Sequence, residues 1–495
     1  MSTATAVTDR SRWVALYVLC AGMLMIVLDV TIVNVALPSI QNDLGFSSTN
    51  LAWVVNAYLI AFGGLLMLAG RLGDLLGRRS VFLGGVSVFT AASLACGLAD
   101  SQWLLVAARF VQGAGGAMTS AVILGMIVTM FSEPRERAKA IGVYAFVASA
   151  GGAVGLLAGG LLTQALDWHW IFFVNVPIGI ATVALASRLL ERDAGIGLRA
   201  GADVPGATLI TAALMLGVYA IVGPAAAHGW GAPSTLAFAG GSIALLVAFV
   251  IREATASRPL VPLGILRSRT LAAANVIQVL SVPAMFGMFF LGALYLRRVL
   301  GYDALQIGLA FLPVAVSMGL LSIRYAERLA TSLGARATML PGLALITAGL
   351  VLFALAPVHS HYVTNLLPTM LLLGIGAGMC FPALMNVAMS AARPEDAGLA
   401  SGLLNTTAQV GGALGLAVLA TLSNSRTEHL LAGGARHAAA LTGGYQLAFW
   451  IAAGLAVASI AVVLTLPRAR QAAAHTAREA HGERAEAARL SAESV

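Results

Sequence analysis

Charge is what this chain has least of. Of its 495 residues only 10% are Asp, Glu, Lys or Arg, against roughly a quarter in a soluble domain, while 59% are hydrophobic. So little charge cannot cover a water-facing surface, and bilayer hydrocarbon is the solvent implied for most of the chain. Lysine is almost missing: Lys139, in Arg137-Ala138-Lys139-Ala140, is the only one. A phosphate loop needs Gly-Lys-Ser or Gly-Lys-Thr, so an ATP-driven pump is excluded. The three cysteines, Cys20, Cys96 and Cys380, all fall within apolar stretches, which argues against a disulfide framework and against a metal site. No enzyme constellation stands out, and no cofactor or metal is expected. The charged rings and filter patterns of a channel are missing as well.

What is present is apolar length. Stretches of 18 or more apolar residues recur from 13–36 to 446–466, each long enough to cross about 30 Å of hydrocarbon as a helix. They number fourteen. The first follows Arg10 and Arg12 as a secretory signal would, but it exceeds 20 apolar residues and shows no convincing small-residue cleavage site, so it reads as a retained helix. The net charge of +8 points away from nucleic acid because of where it lies. With a cytoplasmic N-terminus, 24 of the 29 basic residues fall in cytoplasmic segments, four (Arg297, Arg298, Arg426, Arg436) in outer ones, and Arg109 within a span. This is the positive-inside bias, and it places both termini in the cytoplasm.

The longest cytoplasmic connections, 190–205 and 252–270, flank the seventh and eighth spans, which therefore look inserted. The expected division is a six-helix half over 1–190, two linker spans over 191–270, a second six-helix half over 271–466, and a cytoplasmic tail over 467–495. The second-to-third connections of the halves support it. The first reads Gly70-Arg71-Leu72-Gly73-Asp74-Leu75-Leu76-Gly77-Arg78-Arg79, and Glu327-Arg328 through Gly334-Ala335-Arg336 is a weaker copy. Paired halves place a substrate site at their interface near the bilayer midplane. The outer loop 424–445 and the tail read as solvated surface.

Asp29 is the one acidic residue well inside a span, and Arg109 the one basic residue. A charge there costs at least about 2.5–3.5 kcal/mol, so each needs a partner or a water-filled cavity. Both lie about 10 Å from the outer ends of their helices at 1.5 Å per residue, so they can face one another. Burial disfavours the ionised carboxylate while a guanidinium favours it. Such a pair either carries protons or statically holds two helices together. Gln112, Gly113 and Gly116 share the helix face of Arg109. Gly151, Gly155 and Gly159 form a second stripe that permits close helix approach.

These residues, in this order, resemble the major facilitator superfamily, and within it the fourteen-span drug:proton antiporters, over nearly the whole chain. Leu28-Asp29-Val30-Thr31-Ile32-Val33-Asn34 through Pro38 is similar to the first-span signature of that subfamily. Gly70 to Arg79 is similar to the superfamily's cytoplasmic signature, and Arg109 through Gln112-Gly113 to the fourth-span signature of proton-coupled members. Gly142, Gly151, Gly155, Gly159 and Gly160 fall at the antiporter spacing of the fifth span. Trp168-His169-Trp170 through Asn175-Val176-Pro177 follows as in the fourteen-span group. Leu156 stands where that signature usually has Pro, and His169 where Arg is common.

The resemblance implies an all-α integral membrane protein of the major facilitator fold: two six-helix halves plus two inserted central helices. It implies a secondary transporter, not an enzyme, exporting small lipophilic drugs or antibiotics in exchange for protons. A transporter of one endogenous metabolite and a non-transporting receptor are the alternatives. Asp29 and Arg109 would couple protons. Gly70, Asp74, Gly77, Arg78 and Arg79 would form a conformational lock, and the fifth-span glycines a face where the halves meet. Candidate cargo-lining residues are Asn34, Asn56, Tyr58, Gln112, Met285, Phe286, Phe289, Asn405 and Gln409, whose aromatic and Met side chains offer an adaptable surface with a few amides to orient cargo. The expected partners are a lipophilic substrate, protons and the bilayer, with the chain acting as a monomer. The 28 arginines to one lysine suggest a bacterium of high G+C content, hence a bacterial plasma membrane.

Overall fold

The computed structural model describes residues 9–131, 133–197, 201–257, 259–324, 334–391 and 397–466. In chain order the helices are α1 (Asp9–Leu44), α2 (Ala52–Leu76), α3 (Arg78–Gly97), α4 (Gln102–Met130), α5 (Pro134–Ala165), α6 (Trp170–Leu189) and α7 (Val204–His228). They continue with α8 (Pro233–Thr255), α9 (Arg269–Arg298), α10 (Ala304–Arg324), α11 (Ala335–Ala354), α12 (Tyr362–Ser390), α13 (Ala397–Ala432) and α14 (His437–Thr465). Thirteen are long and apolar enough along their described residues to cross a membrane, and the 32-residue α5 completes the fourteen. No strand occurs among the described residues. Backbone polar groups inside hydrocarbon have no water to bond, so an all-helical answer is what the apolar composition demands.

The helix pairing repeats. In the first half α1 packs on α5, α2 and α3 on α4, and α1 and α3 on α6. In the second, α9 packs on α13, α10 and α11 on α12, and α9 and α11 on α14. The halves meet along α2–α13, α5–α10 and α1–α9. On α2, a Cβ at Gly63 would lie 2.7 Å from Gln409 Cβ of α13. On α5, a Cβ at Gly160 would lie 2.8 Å from the Ala304 carbonyl of α10. Between α1 and α9, Arg298 donates to Gln41 Oε1 and, at 3.1 Å, to Ser48 Oγ. The last two contacts close the same end of the bundle, the one where α1 and α9 finish.

Glycine decides how near α5 comes to α1. Gly151 lies against Leu24 and Val27, Gly155 against Thr31 and the Leu28 carbonyl, and Gly159 against Ile32. These residues of α1 bracket Asp29. Gly160, one position on, turns to the other half, so α5 is held between both. Gly142 does not belong to this face: nothing lies within 4 Å of its missing Cβ, because it sits more than two turns before Gly151, near the open end of α5.

The inserted pair α7–α8 lies beside α2, with α7 also touching α13. Its near end is tied by polar contacts. The Asp203 side chain accepts from Gly206 N at the start of α7 (3.1 Å) and from Arg252 Nε of α8 (3.0 Å). Glu253 accepts from Val261 N at 2.8 Å. This pins Leu260 and Val261 into a small apolar cluster with Ala207 and Leu403, backed by Leu65, Met67 and Leu68. The segment after α8 thus sits where α2 of one half meets α13 of the other.

One expectation is corrected. Residues 424–445 are helical and not a loop: α13 runs to Ala432 and α14 starts at His437, leaving a short turn with Gly434 at φ +80, while most of 428–439 is exposed. The Ala-rich stretch continues the helices beyond the apolar spans, and Gly444 packs closely on Ser423 and Thr427. Most of the second copy of the 70–79 motif, at 325–333, and the tail lie outside the described residues.

Two outcomes test this packing. Gly155→Ala places a methyl against Thr31, an overpacking of about 1–3 kcal/mol; it should lower the melting temperature in detergent, and Thr31→Ala should restore part of the loss. Glu253→Ala leaves the buried Val261 N–H without its acceptor, a cost of about 1–3 kcal/mol, whereas Glu253→Gln keeps an oxygen there. Thermal unfolding should rank the alanine variant well below the glutamine one.

Candidate functional site

The two intramembrane charges meet. Asp29 of α1 is 0% exposed and Arg109 of α4 is 1% exposed, and Arg109 Nη1 donates to Asp29 Oδ2 at 2.5 Å. Arg109, about two turns into α4, meets Asp29 of α1, so the two lone intramembrane charges of the sequence face one another. Neither charge is left with one partner. Arg109 Nε donates to the Val54 carbonyl of α2 at 3.0 Å, and Nη1 to Gln112 Oε1 at 2.6 Å. Gln112 Nε2 in turn donates to Asp29 Oδ1 (2.6 Å) and to Ser93 Oγ of α3 (2.7 Å). Asn175 Nδ2 of α6 approaches Asp29 Oδ1 at 3.5 Å. The Tyr58 ring lies 4.5 Å and the Phe172 ring 5.7 Å from the guanidinium carbon, close enough for cation–π attraction in a desolvated site. Five helices of one half therefore converge on a single carboxylate and guanidinium.

Glycine lets them converge. A side chain at Gly113 would collide with the Tyr58 carbonyl, and one at Gly116 would lie 2.9 Å from Tyr58 Oη. The small residues that follow Arg109 along its face thus draw α2 against α4 and bring the Val54 carbonyl within reach.

The cargo-lining candidates are divided among several environments. Tyr58 and Gln112 belong to the ion-pair network, and Asn34 donates to its own helix at Val30 O (2.7 Å). Phe289 packs edge-to-face on Phe311 at 5.3 Å, Phe286 lies against Gly412, and Met285 is buried in the core. Asn405 is exposed. Asn56 and Gln409 stand apart. Asn56 is fully buried with both amide atoms unpartnered, and Gln409 Oε1 is unpartnered beside Gly63. Asn56 lies seven residues before Gly63, on the same face of α2, so both amides belong to the seam between the halves.

At the other end of α2, Gly77 turns the chain at φ +91, a value that favours glycine. Asp193, in the segment after α6, caps α3 by accepting from Arg78 N (2.5 Å) and Arg79 N (3.1 Å), where the helix dipole favours a negative charge. Arg79 Nη2 donates to Ser187 O at 2.6 Å. Asp74 and Arg78 form only a half-exposed pair at 3.6 Å, a weak contact. Gly73 packs on Val122, while Gly70 faces open space. Sequence reasoning missed Asp193, Ser93, Phe172 and the Asn175 contact. Asn175 did fall within a recognised motif; for Asp193, an acid beside a connection, no local pattern announces a cap on a helix more than a hundred residues earlier.

Among the described residues no group of His, Cys, Asp and Glu has the arrangement to hold a metal. Residues 19–416 match the model of the Major Facilitator Superfamily. A puromycin resistance protein of Streptomyces alboniger is 39% identical over 472 residues, 94% of this chain and 93% of that protein. A cephamycin export protein of Amycolatopsis lactamdurans is 39% identical over 470 residues, with the same coverage. Among solved structures, an auto-inhibited peptide transporter of the POT family aligns with a TM-score of 0.67 at 17% identity, covering 93% of this chain and 98% of that one, a likeness of fold. The repeated pairing of two six-helix halves, the buried Asp29–Arg109 site and a family match over most of the length converge: this chain belongs to the major facilitator superfamily.

Proposed function

We propose that this protein exports small lipophilic drugs or antibiotics across a bacterial plasma membrane in exchange for protons, by alternating access between its halves. The observation that carries the coupling is the enclosed Asp29–Arg109 pair. Support for export comes from the near-full-length likeness to proteins named for antibiotic resistance and export. On this reading the termini are cytoplasmic, the end sealed by Arg298 and Gln41 faces outward, and the chain acts as a monomer. Residues 1–190 and 271–466 form the moving halves, with 191–270 linking them and 467–495 as a tail.

The proton step follows from the geometry. Removing one charge of a buried pair leaves the other uncompensated, at a cost of about 3–5 kcal/mol. A proton added to an Asp29 carboxylate oxygen does the same: it cancels the charge that holds Arg109 and leaves the guanidinium in a dry site. The network must rearrange, and on this reading α1, which carries Asp29, shifts with it. Gly155 and Gly159 transmit the shift from α1 to α5, and Gly160 carries it to α10 in the other half. Loss of the proton on the opposite side restores the pair. The unpartnered amides Asn56 and Gln409 are the polar contacts for cargo where the seam opens, with Met285, Phe286, Phe289 and Asn405 as its further lining. Gly70, Asp74, Gly77, Arg78 and Arg79, with Asp193 as the capping acid, form the lock at the cytoplasmic end.

Asp29→Asn preserves shape and hydrogen bonds and removes the titrating group. In membrane vesicles, an imposed proton gradient should drive uptake of a lipophilic dye with the native protein and not with Asp29→Asn, while gradient-free exchange of dye persists. Gradient-driven transport unimpaired in Asp29→Asn would discard the coupling role and leave the pair as a structural tie.

A further inference from the structure

A large cavity lies away from the ion pair and the seam, between the inserted pair and the first half. Its volume is about 1020 Å³, and α2, α4, α7, α8 and the turn before α2 line it. It opens on the flank of helices that cross the hydrocarbon, so lipid is the medium that fills it.

The cavity is polar at one end only. Asn50 and Gln102 stand there with Trp53 and Trp103, Gln102 donating its amide N–H to the Leu44 carbonyl at 2.9 Å, and Trp103 is 73% exposed; tryptophan is a side chain of the membrane–water interface. Below that rim the walls are Val106, Phe110, Met215, Leu216 and Leu65. Thr208 and Thr211 also face it, but their hydroxyls donate to Val204 O and Ala207 O of their own helix at 2.9 and 2.7 Å, which leaves their methyl groups to the cavity. No charged side chain is part of the lining. The deep end is closed where Gly64 lets α2 approach Thr211 of α7.

Its depth matches one leaflet. From Trp53 to Leu65 along α2 is about 18 Å, and from Thr208 to Tyr219 along α7 about 16 Å, at 1.5 Å per residue. Half of the hydrocarbon core is about 15 Å. We propose that this groove is a binding site for one membrane phospholipid of a single leaflet, its acyl chains wedged between α4 and the α7–α8 pair and its headgroup at Asn50, Gln102 and the two tryptophans. The lipid fills the space that the inserted helices leave where they splay from the first half. It also backs the wall that holds the ion pair, since Trp53 adjoins Val54, and Val106 and Phe110 flank Arg109.

Native mass spectrometry of the full chain, released from detergent after stepwise delipidation, tests the site. The native protein should retain one phospholipid per chain after its other lipids are gone. Ala212→Trp on α7 and Leu245→Trp on α8 each fill the groove from a different wall, and each should lose that lipid while its melting curve and gel-filtration profile show a folded protein. Of the two, whichever stays folded decides. Because no charge lines the groove, exchanging zwitterionic for anionic headgroups should leave retention unchanged, whereas shortening the acyl chains should abolish it. Equal retention in the native protein and a folded groove-filled variant would overturn the proposal, as would displacement of the lipid by a transported dye, which would make the groove a cargo port.

Discussion

Everything in the first half is arranged around one costly contact, a carboxylate and a guanidinium bonded to each other out of reach of water. Such a pair is tolerable only if every remaining lone pair and proton finds a partner. Here Arg109 takes the Val54 carbonyl and Gln112, and Asp29 takes Gln112 and Asn175. Four helices, α1, α2, α4 and α6, must meet within a few ångströms to supply those groups, and α3 adds Ser93 as a partner of Gln112. That requirement explains the small residues: without Gly113 and Gly116 against Tyr58, α2 and α4 would stand too far apart for the Val54 carbonyl to reach Arg109.

The same economy of side-chain volume joins the site to the second half. Gly155 and Gly159 press α5 onto the stretch of α1 that carries Asp29, and Gly160 presses it onto α10. One helix, α5, is therefore in close contact both with the Asp29 segment of α1 and with the other half. At the opposite end the inserted pair contributes a different constraint: Glu253 anchors a short segment into the corner between α2 and α13. The two extra helices are thus coupled to both halves while remaining largely lipid-facing.

Much of this is legible in the sequence. Fourteen apolar stretches, their division into halves around an inserted pair, and the pairing of two lone charges at matching depth all follow from hydropathy and position, because hydrocarbon penalises exposed backbone and unpaired charge so heavily that few arrangements survive. Other features depend on contacts that a local stretch of sequence does not encode. The Gly, Ala and His of 424–445 read as a loop, yet an Ala-rich helix continues past its apolar span where a residue such as Gly444 lets two helices pack closely. Tyr58 and Gln112 read as cargo-lining from the sequence and touch Arg109 in the structure, because a polar side chain in an apolar span has two uses, and periodicity does not say which neighbour it meets.

The sequence by itself determined the solvent, the helix count, the uneven spread of arginine between alternate connections and the two residues that bear intramembrane charge. Each of these is set by composition along a single segment. Only the tertiary structure decided that Ser93 and Asn175 complete the ion-pair network, that Asp193 caps α3 from more than a hundred residues away, that Gly142 stands outside the glycine face, and that the inserted helices leave a leaflet-deep groove. Those are contacts between segments distant along the chain, and their geometry depends on how closely each helix pair approaches, a quantity that small residues permit but do not specify until all fourteen helices are packed.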